Sequence, residues 1–426
     1  MLSSIKQFFI KTIKSPDIRK KVLITLIILV FYRLIAHIPA AGIDRTSLRS
    51  LFMGSPLLSL LDVFSGGTLA NFSILALGLN PYINASIIMQ LLTYVIPQLE
   101  ELSKEGEFGQ EKINQYTRFL TVPLAFLQGF GMYSLLRSQG IILNFTPLQL
   151  IALVVTMTGG AMLSVWLGEL ITEYGVGNGV SFLIFAGIIA RLPVTLGQSL
   201  AIVTAQDMLK IVIFLLLSII IVGLIVFMNE ATRQIPVSYA RRVGRIGLSS
   251  SYIPLRLNQA GVIPIIFAVS LVLLPSLISQ FAASISNPNI ASIAQKISSI
   301  FNPSSFLYNS VYFLLVVGFT YFYTSVVFNP DKISENLQKS GGFIPGIRPG
   351  SQTAKYLSAV LNRITLVGAV FLGLIAILPS FFQNVIGVAN LAIGGTGILI
   401  VVSVVLELTR NIESQLVMKR YEAYVR

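Results

Sequence analysis

Five long stretches of this chain contain no charged residue, and they constrain its fold more than any other feature. A helix needs about 20 apolar residues to cross the roughly 30 Å of hydrocarbon in a bilayer. Several of the stretches are long enough for two such helices, or for one helix and a shorter, interrupted one. They are Val63–Leu99, Ser138–Gly168, Leu257–Gln295, Ile297–Pro330 and Ile364–Leu406. We therefore expect an all-α integral membrane protein with many spans.

The apolar runs divide into ten predicted spans. These lie near residues 22–41, 74–96, 118–136, 147–168, 178–192, 208–228, 258–280, 306–328, 358–380 and 388–408. The first run has the position of a signal peptide, but it is long, contains Arg33 and leads into further spans. We interpret it as a retained first helix.

The composition excludes several kinds of chemistry. Hydrophobic residues make up 54% of the chain and charged residues 11%. Because there is no cysteine, the chain can form no disulfide, thiol nucleophile or cysteine-ligated metal site. A single histidine argues against a histidine-clustered metal site as well. We therefore expect neither a metal nor a cofactor.

Positive charge predicts the orientation of the spans. Cytoplasmic segments of membrane proteins are enriched in lysine and arginine. If the N-terminus is cytoplasmic, the inner segments carry 23 of the 30 basic residues, the outer segments carry 6, and Arg33 lies in the first span. Both termini are therefore expected in the cytoplasm.

Ten spans with both ends on one side divide into two halves, 1–207 and 208–426. The halves start in opposite directions, which is the pattern of an inverted repeat. The second span of each half begins with a helix break, at Leu77–Pro81 and at Leu257–Pro264. Paired breaks indicate a pathway between the halves, and ordinary helix irregularity is the alternative.

Residues 54–73 do not have the pattern of a span. Leu57–Phe64 could form about two helical turns, which Gly66 and Gly67 would end. Irregular backbone at membrane depth is tolerated only where it is buried in protein or lines a water-filled cavity. The segment is therefore expected to be re-entrant, to line a cavity or to lie outside the membrane.

Two long cytoplasmic loops are predicted, at 229–257 and 329–357. The first carries five arginines and one glutamate. The second contains the glycine- and proline-rich run Gly341–Gly350, whose tight turns would hold Arg348 in a defined position. Ordered basic loops favour docking of a large partner. Attraction to the membrane surface, together with topology determination, is the alternative.

Seven stretches carry a family resemblance over nearly the whole chain. They are Ile38–Asp44 (IPAAGID), Gly78–Leu92 (GLNPYINASIIMQLL), Lys104–Arg118 (KEGEFGQEKINQYTR), Gly175–Ile189 (GVGNGVSFLIFAGII), Leu255–Ala268 (LRLNQAGVIPIIFA), Gly341–Tyr356 (GGFIPGIRPGSQTAKY) and Gly394–Val401 (GGTGILIV). In this order they resemble the SecY family, the channel subunits of the bacterial Sec protein translocon. The resemblance implies a clam-like channel of ten helices in the cell inner (cytoplasmic) membrane. Unfolded polypeptides would cross it, or leave it sideways into lipid.

The resemblance also implies partners for the chain. A SecE-like small membrane subunit would clamp the two halves, and a SecG-like subunit would lie alongside. A SecA motor ATPase or a translating ribosome would supply the energy. Signal sequences and unfolded polypeptides would be the substrates, membrane lipids would surround the channel, and the chain itself would have no catalytic site.

Two sets of candidate residues concern closure of the channel. A plug, at about 57–67, would close the outer funnel with Leu58, Leu61, Val63, Phe64, Gly66 and Gly67. A pore ring, placed by match to the family's positions, would consist of Leu79, Ile83, Ile184, Ile266 and Ile400. Apolar rings stop ions by dewetting. From the residues alone, each ring member is simply a core aliphatic.

Two further sets concern opening and docking. A lateral gate would lie between spans two and three on one side and spans seven and eight on the other. Its candidate polar contacts are Gln90, Gln128 and Asn258, unless each amide bonds within its own half. Docking of the motor or ribosome would use Arg348, helped by Arg241 and Arg242. The alternative for Arg348 is that it stabilises its own loop.

The main alternative function is an inverted-repeat secondary transporter. Such a protein places ionisable residues near the membrane midplane. The predicted spans contain few candidates, namely Arg33, His37 and Glu407, and no carboxylate at a span centre. An intramembrane protease would need paired aspartates or a serine with a base. His37 and Asp62 have no evident partner in the sequence, so we expect a channel and not an enzyme.

Overall fold

The structure, a computed structural model, describes most of the chain. It covers residues 14–40, 62, 65–69, 71–138, 140–142, 145–202, 208–239, 251–283, 288–302, 305–386 and 395–425. Within these ranges the helices are, in chain order, α1 (Pro16–Ala36), α2 (Asn80–Val95), α3 (Pro97–Lys104), α4 (Glu107–Ser138), α5 (Pro147–Tyr174), α6 (Gly179–Ile202), α7 (Met208–Glu230), α8 (Ile263–Ala283), α9 (Pro288–Ile300), α10 (Phe306–Val327), α11 (Pro330–Lys339), α12 (Ser351–Ile386) and α13 (Gly395–Val425). All except α3, α9 and α11 overlap one predicted span each, in the predicted order. The helical membrane fold is confirmed.

Length and apolar composition mark the stretches that can cross a membrane. Among the described residues, four helical stretches reach the length and apolar content of a span, namely Glu107–Arg137, Pro147–Tyr174, Phe306–Lys339 and Ser351–Leu378. Three shorter apolar stretches are Gly179–Val194, Leu216–Glu230 and Ile263–Leu273. Many large apolar side chains on the outer helix faces are exposed, as a lipid-facing surface requires.

Glycine and proline set the two helix breaks that the sequence predicted. Residues 74–79 form turns, so α2 begins later than the predicted span, and Gly78 has φ +54°. The chain just before α8 is also non-helical, and Gly261 there has φ +66°. This left-handed region is open to glycine at little cost, which explains why both helices start only after these residues.

The helices pack in two groups. In the first group, α2 packs on α4, α4 on α5, α5 on α6, and α1 on α5. In the second group, α8 packs on α10, α10 on α12, α12 on α13, and α13 on α7. The two groups meet mainly where α8 contacts α2 and α4, and where α13 contacts α6. A large aliphatic core, with members from both groups, fills this junction.

A small antiparallel sheet joins the two predicted cytoplasmic loops. Its strands are β1 (Thr232–Tyr239), β2 (Ser251–Arg256) and β3 (Gly342–Phe343), in the order β2-β1-β3. Val237 of β1 pairs with Ser251 of β2, and Ser238 of β1 pairs with Phe343 of β3. Ile235, Leu255, Ile344 and Leu357 form a common buried cluster beneath it. The all-α prediction therefore missed a sheet that packs these loops into one unit.

Candidate functional site

The five residues predicted as a pore ring lie in one buried cluster where the helix groups meet. Leu79 precedes α2, Ile83 lies on α2, Ile184 on α6, Ile266 on α8 and Ile400 on α13. None is more than 7% exposed. Among the described residues, aliphatic side chains from both helix groups therefore pack against one another at this junction.

The predicted plug is described only in part. Leu58, Leu61, Val63 and Phe64 lie outside the described residues, whereas Gly66 and Gly67 lie inside them. Gly66 and Gly67 have φ of +73° and +82°. The backbone of Gly66 packs directly on Gly187 of α6, since a Cβ added to Gly66 would lie 2.6 Å from the Gly187 Cα. Only residues without a Cβ allow this approach.

Two arginines reach this part of the chain from neighbouring helices. Arg33 of α1 donates one guanidinium hydrogen bond to the Gly66 carbonyl, at 3.0 Å. Its other terminal nitrogen donates to the carbonyls of Ala186 and Gly187 on α6, at 3.3 and 3.4 Å. Arg191, also on α6, forms an ion pair with Asp62.

Asp62, which has no evident partner in the sequence, therefore has one in the fold. Its partner lies 129 positions away in the sequence, and only the packing of α6 on this segment brings the two together. One sequence signal did point to such a pair. An acid in an apolar segment at membrane depth needs a compensating charge, and Arg191 lies at the end of a predicted span. Sequence reasoning counted Arg191 only as an outer-loop charge.

Two of the three amides predicted for the lateral gate bond inside their own helix groups. Gln90 donates to the Ser86 hydroxyl of the same helix, at 3.4 Å. Asn258 donates to the side-chain oxygen of Asn229 on α7, at 2.9 Å. In this conformation both residues form the hydrogen bonds of the alternative, each within its own helix group, and their part in a lateral gate stays a prediction. Gln128 is half-buried on α4.

An aromatic contact crosses the seam instead. Tyr94, near the end of α2, lies against Phe322 of α10, with ring centroids 4.9 Å apart and planes inclined at 56°. Offset or tilted aromatic pairs at this spacing are favourable. Sequence reasoning missed this pair because nothing in the sequence distinguishes these two aromatic residues from others at the ends of spans.

The loop that carries Arg348 is anchored through its backbone. The Ser334 hydroxyl donates to the Gly350 carbonyl at 2.6 Å, and the Thr353 hydroxyl donates to the Arg348 carbonyl at 3.0 Å. The Arg348 side chain is exposed, and its guanidinium forms no ion pair or hydrogen bond with another of the described residues. The loop is therefore ordered without using this side chain.

The other two predicted docking residues, Arg241 and Arg242, lie outside the described residues. They follow β1 in the chain. Tyr239, the last residue of β1, pairs with Gly342 of β3. The chain thus leaves β1 beside the loop that holds Arg348.

The two ends of the described chain lie on the same face as the sheet. Arg410 of α13 donates to the Asn229 carbonyl at 2.8 Å and to the Glu230 carboxylate at 2.6 Å, just before β1. Further along α13, Lys419 pairs with Asp17 at the start of α1. The hydrogen bond and positive charge of Lys419 hold the pKa of the Asp17 carboxyl below its usual value.

Comparison with known proteins identifies the family. The SecY family profile matches residues 73–409. The chain belongs to the SecY family. It is 47% identical over 445 residues to the protein translocase subunit SecY of Corynebacterium glutamicum, and 44% identical over 440 residues to that of Mycobacterium tuberculosis strain H37Rv. In both cases 98% of this chain and 99% of the relative are covered.

Solved SecY and Sec61 channels share the fold. A protein-conducting channel superposes with a TM-score of 0.66 at 20% identity, covering 93% of this chain and 92% of that one. The TM-score is 0.64, with the same identity and coverages, for a SecY channel whose plug domain stabilises the closed state, and for Sec61 in the canine ribosome–channel complex. The SecY assignment confirms the resemblance carried by the seven stretches and does not favour a secondary transporter. Among the described residues, no group of three or more potential metal ligands occurs.

Proposed function

We propose that this SecY-family chain is a protein-conducting channel in the cell membrane. Unfolded polypeptides cross it between the two helix groups, and hydrophobic segments leave sideways into lipid. The observation that carries the proposal is the aliphatic cluster of Leu79, Ile83, Ile184, Ile266 and Ile400 at the junction of the groups. Such a cluster excludes water and ions when empty. Because only dispersion contacts hold it, it can deform around a passing peptide.

The two halves, residues 1–207 and 208–426, are proposed to be the moving parts. The seam between α2 and α4 on one side and α8 and α10 on the other is the proposed lateral gate. The Tyr94–Phe322 contact supports this placement, because its energy comes from apolar contact that an incoming signal sequence can replace with similar contacts. A seam closed in this way opens at small cost.

The plug is proposed to cover the outer side of the ring. Support comes from the close packing of Gly66 on Gly187, which keeps this segment against α6. Deletion of residues 57–67 should leave translocation possible and increase the leak of small ions. The plug proposal would be refuted if the deletion changed neither the leak of small ions nor the discrimination between functional and defective signal sequences.

The sheet face is proposed to be cytoplasmic and to dock the energy-supplying partner. Both termini then lie in the cytoplasm, which agrees with the bias of positive charge. Arg348, with Arg241 and Arg242, is proposed to bind carboxylates of a SecA motor or phosphates of a ribosome, since a guanidinium can bind either in a bidentate manner. The fold shared with ribosome-bound Sec61 favours such a partner.

Small membrane subunits are proposed to cover part of the apolar outer surface. On α1, Val30 and Leu34 are exposed, and on α7, Ile219 and Phe227 are exposed. SecE-like and SecG-like helices fit such surfaces, and lipids cover the rest.

The decisive test of the channel is reconstitution. The chain is purified with its small subunits, placed in vesicles, and supplied with a motor ATPase, ATP and an unfolded secretory precursor. We expect the precursor to become protected from external protease. If the vesicles instead accumulated a small solute against its gradient and protected no precursor, the secondary transporter would be the better assignment.

A further inference from the structure

Hydrogen bonds join Asp62 to the described residues that follow it in the chain. The Gly67 amide donates to the Asp62 carbonyl at 2.9 Å, and the Ser65 hydroxyl donates to the same carbonyl at 3.1 Å. Thr68 donates in turn to the Ser65 carbonyl, at 2.8 Å. Asp62 is therefore bonded to Gly67, the neighbour of the residue that packs on Gly187 of α6.

Asp62 and Arg191 form an ion pair inside the protein. The Asp62 side chain is completely buried and that of Arg191 is 26% exposed. Removing one member of a buried pair leaves an uncompensated charge, which destabilises the arrangement strongly. The two charges therefore separate readily only when water or a polar peptide takes the place of the partner.

Arg33 joins the same segment to the same helix. Its guanidinium bonds the Gly66 carbonyl on one side and the carbonyls of Ala186 and Gly187 on the other. Because one planar group reaches both backbones, Arg33 keeps them at the short distance that the Gly66–Gly187 contact requires.

We propose that Arg191 and Arg33 form a latch that holds the plug against α6 and sets the threshold for its displacement. The inference rests on the proposed plug and names the residues that regulate it. Both arginines belong to the first helix group, as does the segment they hold. Opening of the seam alone therefore leaves the latch closed, and displacement of the plug is a separate step that needs a hydrated polypeptide in the channel.

The latch is tested by a double-mutant cycle on the complex with its small subunits. Asp62→Asn, Arg191→Gln and the double variant are compared in planar bilayers without substrate. Each single variant should raise the idle ion conductance by on the order of tenfold, because a broken buried pair shifts the plug toward its displaced state. The double variant should leak no more than the worse single one, since it leaves no unpaired charge.

Two controls separate the possible failures. Lys296→Gln removes an exposed positive charge from the outer segments and should leave conductance unchanged. Deletion of residues 57–67 tests the plug itself. The latch is wrong, and the plug proposal stands, if the deletion variant leaks ions while Asp62→Asn and Arg191→Gln do not.

The latch is also wrong if the effects of Asp62→Asn and Arg191→Gln on conductance are additive in the double variant. If neither the deletion variant nor the point variants leak ions, the plug and the latch are both wrong. Co-purification of the small subunits with each variant checks assembly, and the isosteric Asp62→Asn keeps the test valid if Arg191→Gln does not fold.

Discussion

The ring centroids of Tyr94 on α2 and Phe322 on α10 lie 4.9 Å apart, across the seam between the two helix groups. An aromatic pair of this kind contributes about 0.5–1.5 kcal/mol beyond its buried area. Tyr94→Ala or Phe322→Ala should therefore raise the population of the open seam by up to roughly tenfold. The measurement is export of precursors with weakened signal sequences, which we expect to improve.

A matched control is Phe130→Ala. Phe130 and Tyr133 form a tilted pair on α4, within the first group, at 6.3 Å. Both rings lie on α4, so loss of that contact removes an aromatic pair that does not join the two groups. Equal effects of Phe130→Ala and Tyr94→Ala would show that the seam contact has no special part in gating.

The aliphatic cluster is expected to seal the pore by excluding water. Ile83→Asn or Ile400→Asn puts an amide into that cluster, which favours hydration and lets ions pass. We expect higher conductance of the idle channel and weaker discrimination between signal sequences. Ile225→Asn is the control, because Ile225 is fully buried in the same core on α7 but lies outside the proposed ring. If Ile83→Asn and Ile400→Asn both had wild-type conductance, these residues would not form the pore ring.

The Gly66–Gly187 contact predicts the effect of a single added methyl group. In Gly187→Ala the new Cβ would lie 2.7 Å from the Gly66 Cα, which is closer than carbon atoms can approach. The plug segment must then move off α6, and we expect an idle ion leak similar to that of the plug deletion. In Gly197→Ala, on the same helix, the new Cβ would meet no atom of the described residues within 4 Å, and the variant should have no such effect. A tight channel in Gly187→Ala would contradict the placement of this segment.

Arg348 is predicted to dock a cytoplasmic partner. Arg348→Glu should leave the protein folded and assembled, because its loop is held by the backbone bonds of Ser334 and Thr353. Partner-stimulated translocation should be lost, and Arg348→Lys should also be impaired because lysine cannot bind in a bidentate manner. Raised salt should weaken partner binding.

The control variant for Arg348→Glu is Arg363→Glu, which makes the same change of charge at an exposed position on α12. Loss of translocation specific to Arg348→Glu supports docking. Degradation of Arg348→Glu, or its failure to assemble with the small subunits, would instead assign the side chain a structural role.

Sequence reasoning succeeded where the physical cause is local. Uncharged runs of span length predict helices because the bilayer demands them, and Gly78 and Gly261 predict breaks because of their own backbone freedom. It failed where two distant segments meet. Asp62 with Arg191, Tyr94 with Phe322, and Ser238 with Phe343 are each joined by tertiary packing that no local pattern encodes.

The β1–β3 pairing attaches the proposed docking region to the second helix group alone. The strands β1 and β2 connect α7 to α8, and β3 lies between α11 and α12, so every element fixed to the sheet belongs to the second helix group. If a partner docks on the sheet as proposed, it would restrain the second helix group and leave the first group unrestrained. Force from that partner would then act on one group only, and it would move that group relative to the other.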